Sequence, residues 1–136
     1  MGGDHGPKVT VPAALEFLSL HSDAAVILVG LQDVIKSELR GREAQYQARL
    51  NIHHASEVVA MDESPASALR GKKESSIRLA AELVKSGQAQ ASVSAGNTGA
   101  VVAASTFVLG MIPGVDRPGI GCVIPSLKEM NLMIDM

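Results

Sequence analysis

The chain has 136 residues, a formal net charge of −2, and a composition that is 46% hydrophobic but 2% aromatic. This length suits one domain and is too short for two, so we expect a single α/β domain over residues 1–136 with a core of Ala, Val, Leu and Ile. There is no basic stripe and no Trp to stack on bases, so nucleic acid is not an expected partner.

The single cysteine, Cys122, cannot form an internal disulfide and favours a reduced, cytoplasmic setting. No apolar run reaches the roughly 18 residues that span a bilayer, and the N-terminus lacks the regions of a signal peptide. We therefore expect a soluble protein, with peripheral contact at a membrane left open.

The N-terminal segment, residues 1–7, is a predicted loop that contains three glycines, an acid and a histidine. A helix is predicted to begin near Val11, because Pro12 is tolerated in a first turn. Loops of this composition normally follow a strand. Its residues Asp4, His5 and Gly6 are candidates for orienting a substrate or holding a metal, although such residues are more often simply solvated.

The next elements are predicted from hydrophobic runs and caps. Residues 24–30 form a continuous apolar run that predicts a strand buried on both faces, and Asp33 is the predicted cap of a helix that ends at Leu39. A second strand is predicted over residues 50–54. Its adjacent histidines, His53 and His54, would point to opposite faces of that strand, so we favour surface or structural roles over a shared metal.

A basic break interrupts the helical pattern that follows. Ser64 and Pro65 predict a helix start, and a second helix is predicted over residues 76–85. The break between these helices carries cations and hydroxyl groups. One interpretation is a solvated turn, and the other is a phosphate clamp, since cations and hydroxyls supply the donors that phosphate needs. The residues of this clamp would be Arg70, Lys72 or Lys73, Ser75 and Ser76.

The stretch 91–100 is the strongest candidate site in the sequence. Residues 91–94 predict a buried strand, and a turn of small residues leads into a nearly all-apolar helix over residues 98–109, predicted to lie buried in a larger body or at a subunit interface. A glycine-rich turn before a helix N-terminus can present backbone N–H groups to an anion. The candidate donors of this cradle are Ser94, Gly96, Asn97, Thr98 and Gly99.

Many such turns bind nothing, and this one fits neither the dinucleotide fingerprint nor the Walker pattern. Two more strands are predicted, a buried one over residues 119–125 and another over residues 132–136. Strands that alternate with helices predict a mainly parallel sheet covered on both faces, with ligands at the C-terminal ends of its strands. The turn at residues 94–99 would lie at such an end.

Taken together, four motifs resemble those of the phosphate acyltransferases of bacterial phospholipid synthesis, the PlsX family. They are residues 1–7, 70–76, 94–100 and 116–118, which read MGGDHGP, RGKKESS, SAGNTGA and DRP. The resemblance covers the whole chain but corresponds to the N-terminal part of the longer family sequence. The strand that leads into the first motif in the family is not present, and the chain stops where the family continues into a second body.

This resemblance implies a three-layer α/β/α fold with a mainly parallel sheet, similar to the isocitrate and isopropylmalate dehydrogenases, incomplete in this chain and usually a homodimer. The implied reaction transfers a fatty acyl group from acyl carrier protein to inorganic phosphate. The acyl phosphate then serves the glycerol-phosphate acyltransferase of the membrane. The implied location is cytoplasmic, with peripheral association at the membrane, and no cofactor is expected.

Attack of phosphate on a thioester needs an anion site and oxyanion donors more than a covalent nucleophile. We expect Asn97, His5 and Lys73 to act in catalysis, with His5 as a proton carrier because its reference pKa lies near neutrality. The expected phosphate-binding residues are Asp4, Gly6, Arg70, Ser75, Ser76, Ser94, Gly96, Thr98 and Gly99. Two alternatives are a phosphotransacetylase-like enzyme that uses acyl coenzyme A, and a non-catalytic ligand-binding or dimerisation module.

Overall fold

A computed structural model describes residues 1–135 and shows a mixed α/β chain, as the sequence predicts. Two short 3₁₀ turns, Arg42–Gln45 and Gln47–Arg49, precede the second strand. The helices and strands in chain order are α1 Pro7–Leu20, β1 Val26–Gly30, α2 Gln32–Leu39, β2 Leu50–His54, α3 Pro65–Gly71, α4 Ser76–Lys85, α5 Thr98–Leu109, β3 Ile120–Pro125 and β4 Met130–Asp135.

The first two strands form a parallel pair, with Val26 opposite Leu50 and Gly30 opposite His54. The helices α1 and α2 pack onto this pair, and their large aliphatic side chains make the main apolar cluster. The parallel pairing and the strand over residues 50–54 are therefore confirmed. The buried members of this cluster are Val11, Leu15, Leu18, Ile35, Leu39 and Leu50.

Two helix starts differ from the prediction. Helix α1 begins at Pro7, which takes the first helical position, so Pro12 lies inside the helix on an exposed face. Helix α2 begins after Leu31 rather than at an Asp33 cap, because the backbone N–H of Gln32 donates to Nδ1 of His54 (3.3 Å). A side chain from the end of β2 thus accepts from the first free amide of α2.

The other three helices pack closely through small side chains. The bounds predicted for α4 and α5 and the start of α3 at Pro65 are confirmed. Helix α5 buries Ala100, Ala104 and Val108 on one face, and Phe107 on another face stays exposed under the guanidinium of Arg78. Alanine at these positions lets α5 approach its neighbours closely.

The predicted buried strand over residues 91–94 is wrong for this structure. These residues are irregular and exposed, and Val93 is 99% exposed. A strand forms only where a neighbour completes its hydrogen-bond ladder, and none of the residues 1–135 pairs with this segment. The β-branched pattern predicts a strand, but within residues 1–135 the pairing that a strand requires is not made.

The last two strands form an antiparallel hairpin, with Ile120 opposite Asp135 and Pro125 opposite Met130. Its strands are exposed and make a sheet of their own, so the prediction of a buried parallel strand over residues 119–125 is wrong. The final predicted strand is present, except that Met136 lies outside the described residues. Within residues 1–135, no helix combines the length and apolarity that crossing a bilayer requires.

Candidate phosphate site

The N-terminal glycine loop lies directly against the turn that precedes α5. A Cβ atom placed on Gly2 would be 2.9 Å from the Cα of Gly96, and one on Gly3 would be 2.8 Å from the carbonyl oxygen of Ala95. Backbone meets backbone here, which is possible because glycine has no side chain. Two motifs that are more than 90 residues apart in the sequence therefore form one surface.

The start of α5 carries unpaired donors. The backbone N–H groups of Asn97, Thr98 and Gly99 donate to no acceptor within residues 1–135. Such first-turn amides lie at the positive end of the helix dipole and form a natural anion site. The Gly96 N–H is already used, since it donates to the hydroxyl oxygen of Ser94 (3.1 Å), whose own O–H proton remains free to donate.

The side chain of Asn97 has a different role from the one predicted. It is 7% exposed, and its amide nitrogen lies within hydrogen-bonding distance of three carbonyl oxygens, those of Ala60 (3.1 Å), Met61 (3.1 Å) and Glu63 (2.8 Å). Its Oδ1 accepts from the N–H of Ala100 (3.0 Å). Because its donors are engaged by the chain itself, Asn97 contributes its backbone N–H to the candidate site and its side chain to the scaffold.

Several helices begin around this turn. The first turn of α3 touches α5, since a Cβ on Gly99 would lie 2.7 Å from Cγ of Pro65. The first turn of α4 also reaches the turn, because a Cβ on Gly96 would lie 3.5 Å from Cδ1 of Ile77. The first turns of α3 and α4 therefore both pack against the segment at residues 96–99. Gly99 is needed for this packing.

Two cations of the basic break bond to other groups of the chain. Lys72 is occupied, since its Nζ donates to the carbonyl oxygen of Val58 (2.7 Å) and pairs with Glu63. Arg70 is exposed and its side chain folds back along α3, where Nε donates to the carbonyl oxygen of Ala66 (3.2 Å). That direction carries the guanidinium toward the end of α3 that touches Gly99. Lys73 is exposed.

The two serines of the break lie at the start of α4. Ser75 is the N-cap residue, and Ser76 occupies the first helical position, where its N–H donates to the carbonyl oxygen of Glu57 (3.2 Å). Both residues are buried, which restricts the access of a phosphate to their hydroxyl groups. They hold the start of α4 beside the segment that contains Val59, a core residue of this half of the chain.

The polar residues of the N-terminal loop follow the glycine contact. Asp4 and His5 are exposed and come directly after Gly3, and Gly6 caps α1 with φ of +54°. That backbone angle lies in the left-handed region, where glycine is favoured. The loop therefore brings an acid and an imidazole to the edge of the surface that Gly2 and Gly3 share with the turn.

Two groups near the site have shifted acidities. The hydrogen bond from Lys72 lowers the pKa of the Glu63 carboxyl, and the N–H of Ala60 acts in the same direction. Partial burial lowers the pKa of the amino group of Met1, next to Gly2. Glu63 is therefore held as a carboxylate beside the loop that receives Asn97.

Sequence reasoning missed the pairing of Glu63 with Lys72. Glu63 appeared as an ordinary residue of a capped loop, and Lys72 as one of three equivalent cations. Their pairing joins residues nine positions apart across a helix, and no local spacing rule predicts such a contact. The polar side chain of Asn97 was found, but its carbonyl partners 34 to 37 residues earlier were not.

The fold and the candidate site define an α/β protein in which a glycine loop contacts the turn before a helix N-terminus. This class is narrowed by comparison with known proteins, because the chain matches the model of the fatty acid synthesis protein family over residues 1–136. The chain belongs to this family.

Curated relatives carry a more specific name. The chain is 51% identical to the phosphate acyltransferase of Chromobacterium violaceum over 136 residues, which is 100% of this chain and 39% of that protein. It is 49% identical to the phosphate acyltransferase of Methylococcus capsulatus, of which it covers 40%. It is 54% identical over 137 residues to that of Herminiimonas arsenicoxydans, of which it covers 38%. The chain thus spans about two fifths of the length of these relatives.

Proposed function

We propose that this chain forms the phosphate-binding part of a phosphate acyltransferase that makes acyl phosphate from an acyl thioester of acyl carrier protein and inorganic phosphate. The observation that carries the proposal is the contact between the Gly2–Gly3 loop and the turn before α5, where the first backbone N–H groups of the helix have no acceptor within residues 1–135. Relatives named phosphate acyltransferase support the reaction class.

In the proposed reaction, a phosphate oxygen attacks the thioester carbonyl and forms a new C–O bond. The tetrahedral intermediate collapses with cleavage of the C–S bond, and the carrier thiolate leaves and takes up a proton. The backbone N–H groups of Asn97, Thr98 and Gly99 would hold the phosphate or the oxyanion, because donors fixed in place need no reorganisation during the reaction. The hydroxyl group of Ser94 would add a further donor.

The remaining candidates have supporting roles in this proposal. Arg70 and Lys73 are exposed cations that would attract the phosphate dianion, and Ser75 and Ser76 would hold the start of α4. From the facing loop, Asp4 and Gly6 would shape the entrance and His5 would carry the proton to the leaving thiolate.

The wider setting of the proposal follows from the family resemblance. We propose that residues 1–136 form a single α/β domain, the N-terminal part of a longer protein with an α/β/α fold of the isocitrate and isopropylmalate dehydrogenase type. The proposed assembly is a homodimer in the cytoplasm, peripheral at the membrane. There it would pass acyl phosphate to the glycerol-phosphate acyltransferase.

An acyl-phosphate assay tests this function. Trapping with hydroxylamine would be measured with acyl carrier protein thioesters and with acyl coenzyme A, on this chain and on a chimera in which it replaces the matched segment of the Chromobacterium violaceum relative. The proposal expects phosphate-dependent product from the carrier thioester in the chimera. A preference for short acyl coenzyme A would favour the phosphotransacetylase-like alternative. Loss of all activity in a folded chimera would leave a binding or dimerisation module.

A further inference from the structure

The loop at residues 58–63 connects the two halves of the candidate site. The carbonyl oxygen of Val59 lies near Gly2, at 3.7 Å from a Cβ placed there. The carbonyl groups of Ala60, Met61 and Glu63 converge on the amide nitrogen of Asn97. One loop thus contacts both the N-terminal glycine loop and the residue that begins α5.

The shape of this loop depends on two charged side chains. The Nζ atom of Lys72 donates to the carbonyl oxygen of Val58 (2.7 Å) and to Oε2 of Glu63. The same carboxylate oxygen accepts from the backbone N–H of Ala60 (3.3 Å). In addition, the N–H of Glu63 donates to the carbonyl oxygen of Ala60 (3.3 Å). Lys72 therefore closes the loop at its first residue and at its last.

This pair differs from an ordinary surface ion pair. The side chains of Lys72 and Glu63 are 31% and 21% exposed, so water screens them less than it screens a fully exposed pair. Each partner also makes a hydrogen bond to the backbone, Lys72 to the carbonyl oxygen of Val58 and Glu63 to the N–H of Ala60. The pair therefore fixes main-chain groups as well as side chains. A pair with these bonds holds a loop in one conformation.

We propose that Glu63 and Lys72 are positioning residues for the phosphate site: they hold residues 58–63 in the shape that receives Asn97 and so fix the amides at the start of α5. This inference rests on the proposed function. Neither residue touches the substrate. Their effect reaches it through the Asn97 side chain, whose Oδ1 accepts from Ala100 while its nitrogen is anchored to the loop.

Kinetics in the chimera test the proposal. Glu63→Gln keeps the shape of the side chain and removes its charge, and Lys72→Met removes the donor. Either change should raise KM for phosphate about tenfold, since small displacements of a binding group have large effects. The KM for the acyl donor should stay within about twofold. The double variant should be no worse than the poorer single variant, because both changes break one unit, and Lys72→Arg should recover part of the loss.

The ion pair of Arg78 and Glu82 on α4 provides a matched control. It is also partly buried, with a distance of 2.9 Å from Nε to Oε1, and it makes no hydrogen bond to residues 58–63 in the described part of the chain. Arg78→Met should leave KM for phosphate within about twofold of the parent value. A loss of folded protein would lower the apparent kcat and leave KM unchanged. A rise in KM for phosphate would therefore indicate a positioning role, and a fall in kcat alone would indicate lower stability.

The outcomes are distinct. An unchanged KM for phosphate in folded Glu63→Gln and Lys72→Met, with an active parent chimera, overturns the positioning role and leaves the proposed function standing. An inactive parent chimera defeats the proposed function. In that case, binding of inorganic phosphate to this chain is measured directly by NMR titration. Weaker binding in both variants than in Arg78→Met supports the positioning role, and equal binding or no binding in the parent overturns it.

Discussion

Two regions of this molecule are stabilised in different ways. The body formed by α1, β1, α2 and β2 encloses six buried aliphatic residues, with Leu39 at 0% exposure. The region around α3, α4 and α5 has a smaller cluster of Val59, Ala68 and Ala100, with Ile77 packed against it. There, close backbone contacts and the hydrogen bonds of Asn97 add to the packing of these mostly small side chains.

The difference shows that a region with small side chains can keep its backbone accessible for binding. Large side chains fill a core but cover the backbone, whereas an anion site needs backbone N–H groups that remain open. Glycine and alanine leave the backbone accessible, and a buried amide then supplies the specific contacts that packing alone would not give. The structure around the candidate site is therefore expected to be sensitive to the exact positions of backbone groups. The stability of the other region is expected to depend on the volume of its buried side chains.

The largest expected effect tests the aliphatic body. Leu39→Ala should lower the free energy of unfolding by about 2 to 5 kcal/mol, because it leaves a cavity among closely packed side chains. Urea unfolding followed by circular dichroism measures this loss. Leu20→Ala, at a position that is 72% exposed, should change stability by less than about 0.5 kcal/mol. Equal losses in the two variants would contradict the assignment of this core.

The second test concerns the polar scaffold. Asn97→Leu should cost about 2 to 4 kcal/mol, since it removes a helix cap and deprives three partly buried carbonyl groups of their donor. Asn97→Asp keeps the acceptor for Ala100 and loses the donor, so thermal unfolding of the two variants separates the cap from the anchor. If Asn97→Asp were as stable as the parent, the three carbonyl contacts would have no energetic importance.

The third test concerns close backbone approach. Gly2→Ala should cost about 1 to 3 kcal/mol and weaken phosphate binding, because the new methyl group would displace the turn at Gly96. Gly71→Ala is the matched control, since a Cβ there meets no atom within 4 Å among the described residues, and no loss is expected. NMR titration with phosphate measures the binding. If Gly2→Ala bound phosphate as tightly as the parent, the turn at Gly96 would not depend on this contact.

The smallest expected effect depends on pH. The pKa of Glu63 is lowered in the folded chain, chiefly by the hydrogen bond from Lys72, so its contribution to stability is present above the ordinary carboxyl pKa. The contribution is lost as the pH falls through the lowered folded-state pKa. Parent and Glu63→Gln should therefore differ at neutral pH and converge in acid, as measured by urea unfolding across pH. A constant difference would mean that charge is not involved.

The sequence predicted well what depends on neighbouring residues. Helix α4, helix α5 and strand β2 were found because caps, glycines and apolar periodicity are local signals. The start of α1 was placed late because Pro12 was taken as a first-turn residue, although Pro7 has that role. The strand predicted over residues 91–94 is wrong, because strand formation depends on a pairing partner that local pattern does not reveal.

The site was predicted in the same uneven way. The glycine-rich segments were recognised by composition, but the contact of Gly2 with Gly96 joins distant parts of the chain. The alternative of Lys72 or Lys73 in the clamp could not be decided from sequence for a similar reason, since a cation looks free until its carboxylate partner is known. Residue type indicates which chemistry is available, and tertiary contacts decide which groups are already used.

The meeting of Gly2 with Gly96 has an evolutionary consequence. In most protein cores, a larger residue at one position can be accommodated by a smaller residue at a neighbouring position, so the two positions covary in evolution. Here both partners have already reached the smallest possible size. No smaller partner can make room for a side chain at Gly2, whereas a Cβ on Gly96 would lie 3.6 Å from the Cα of Gly2. A library of paired substitutions should therefore return glycine at position 2 and accept alanine at position 96.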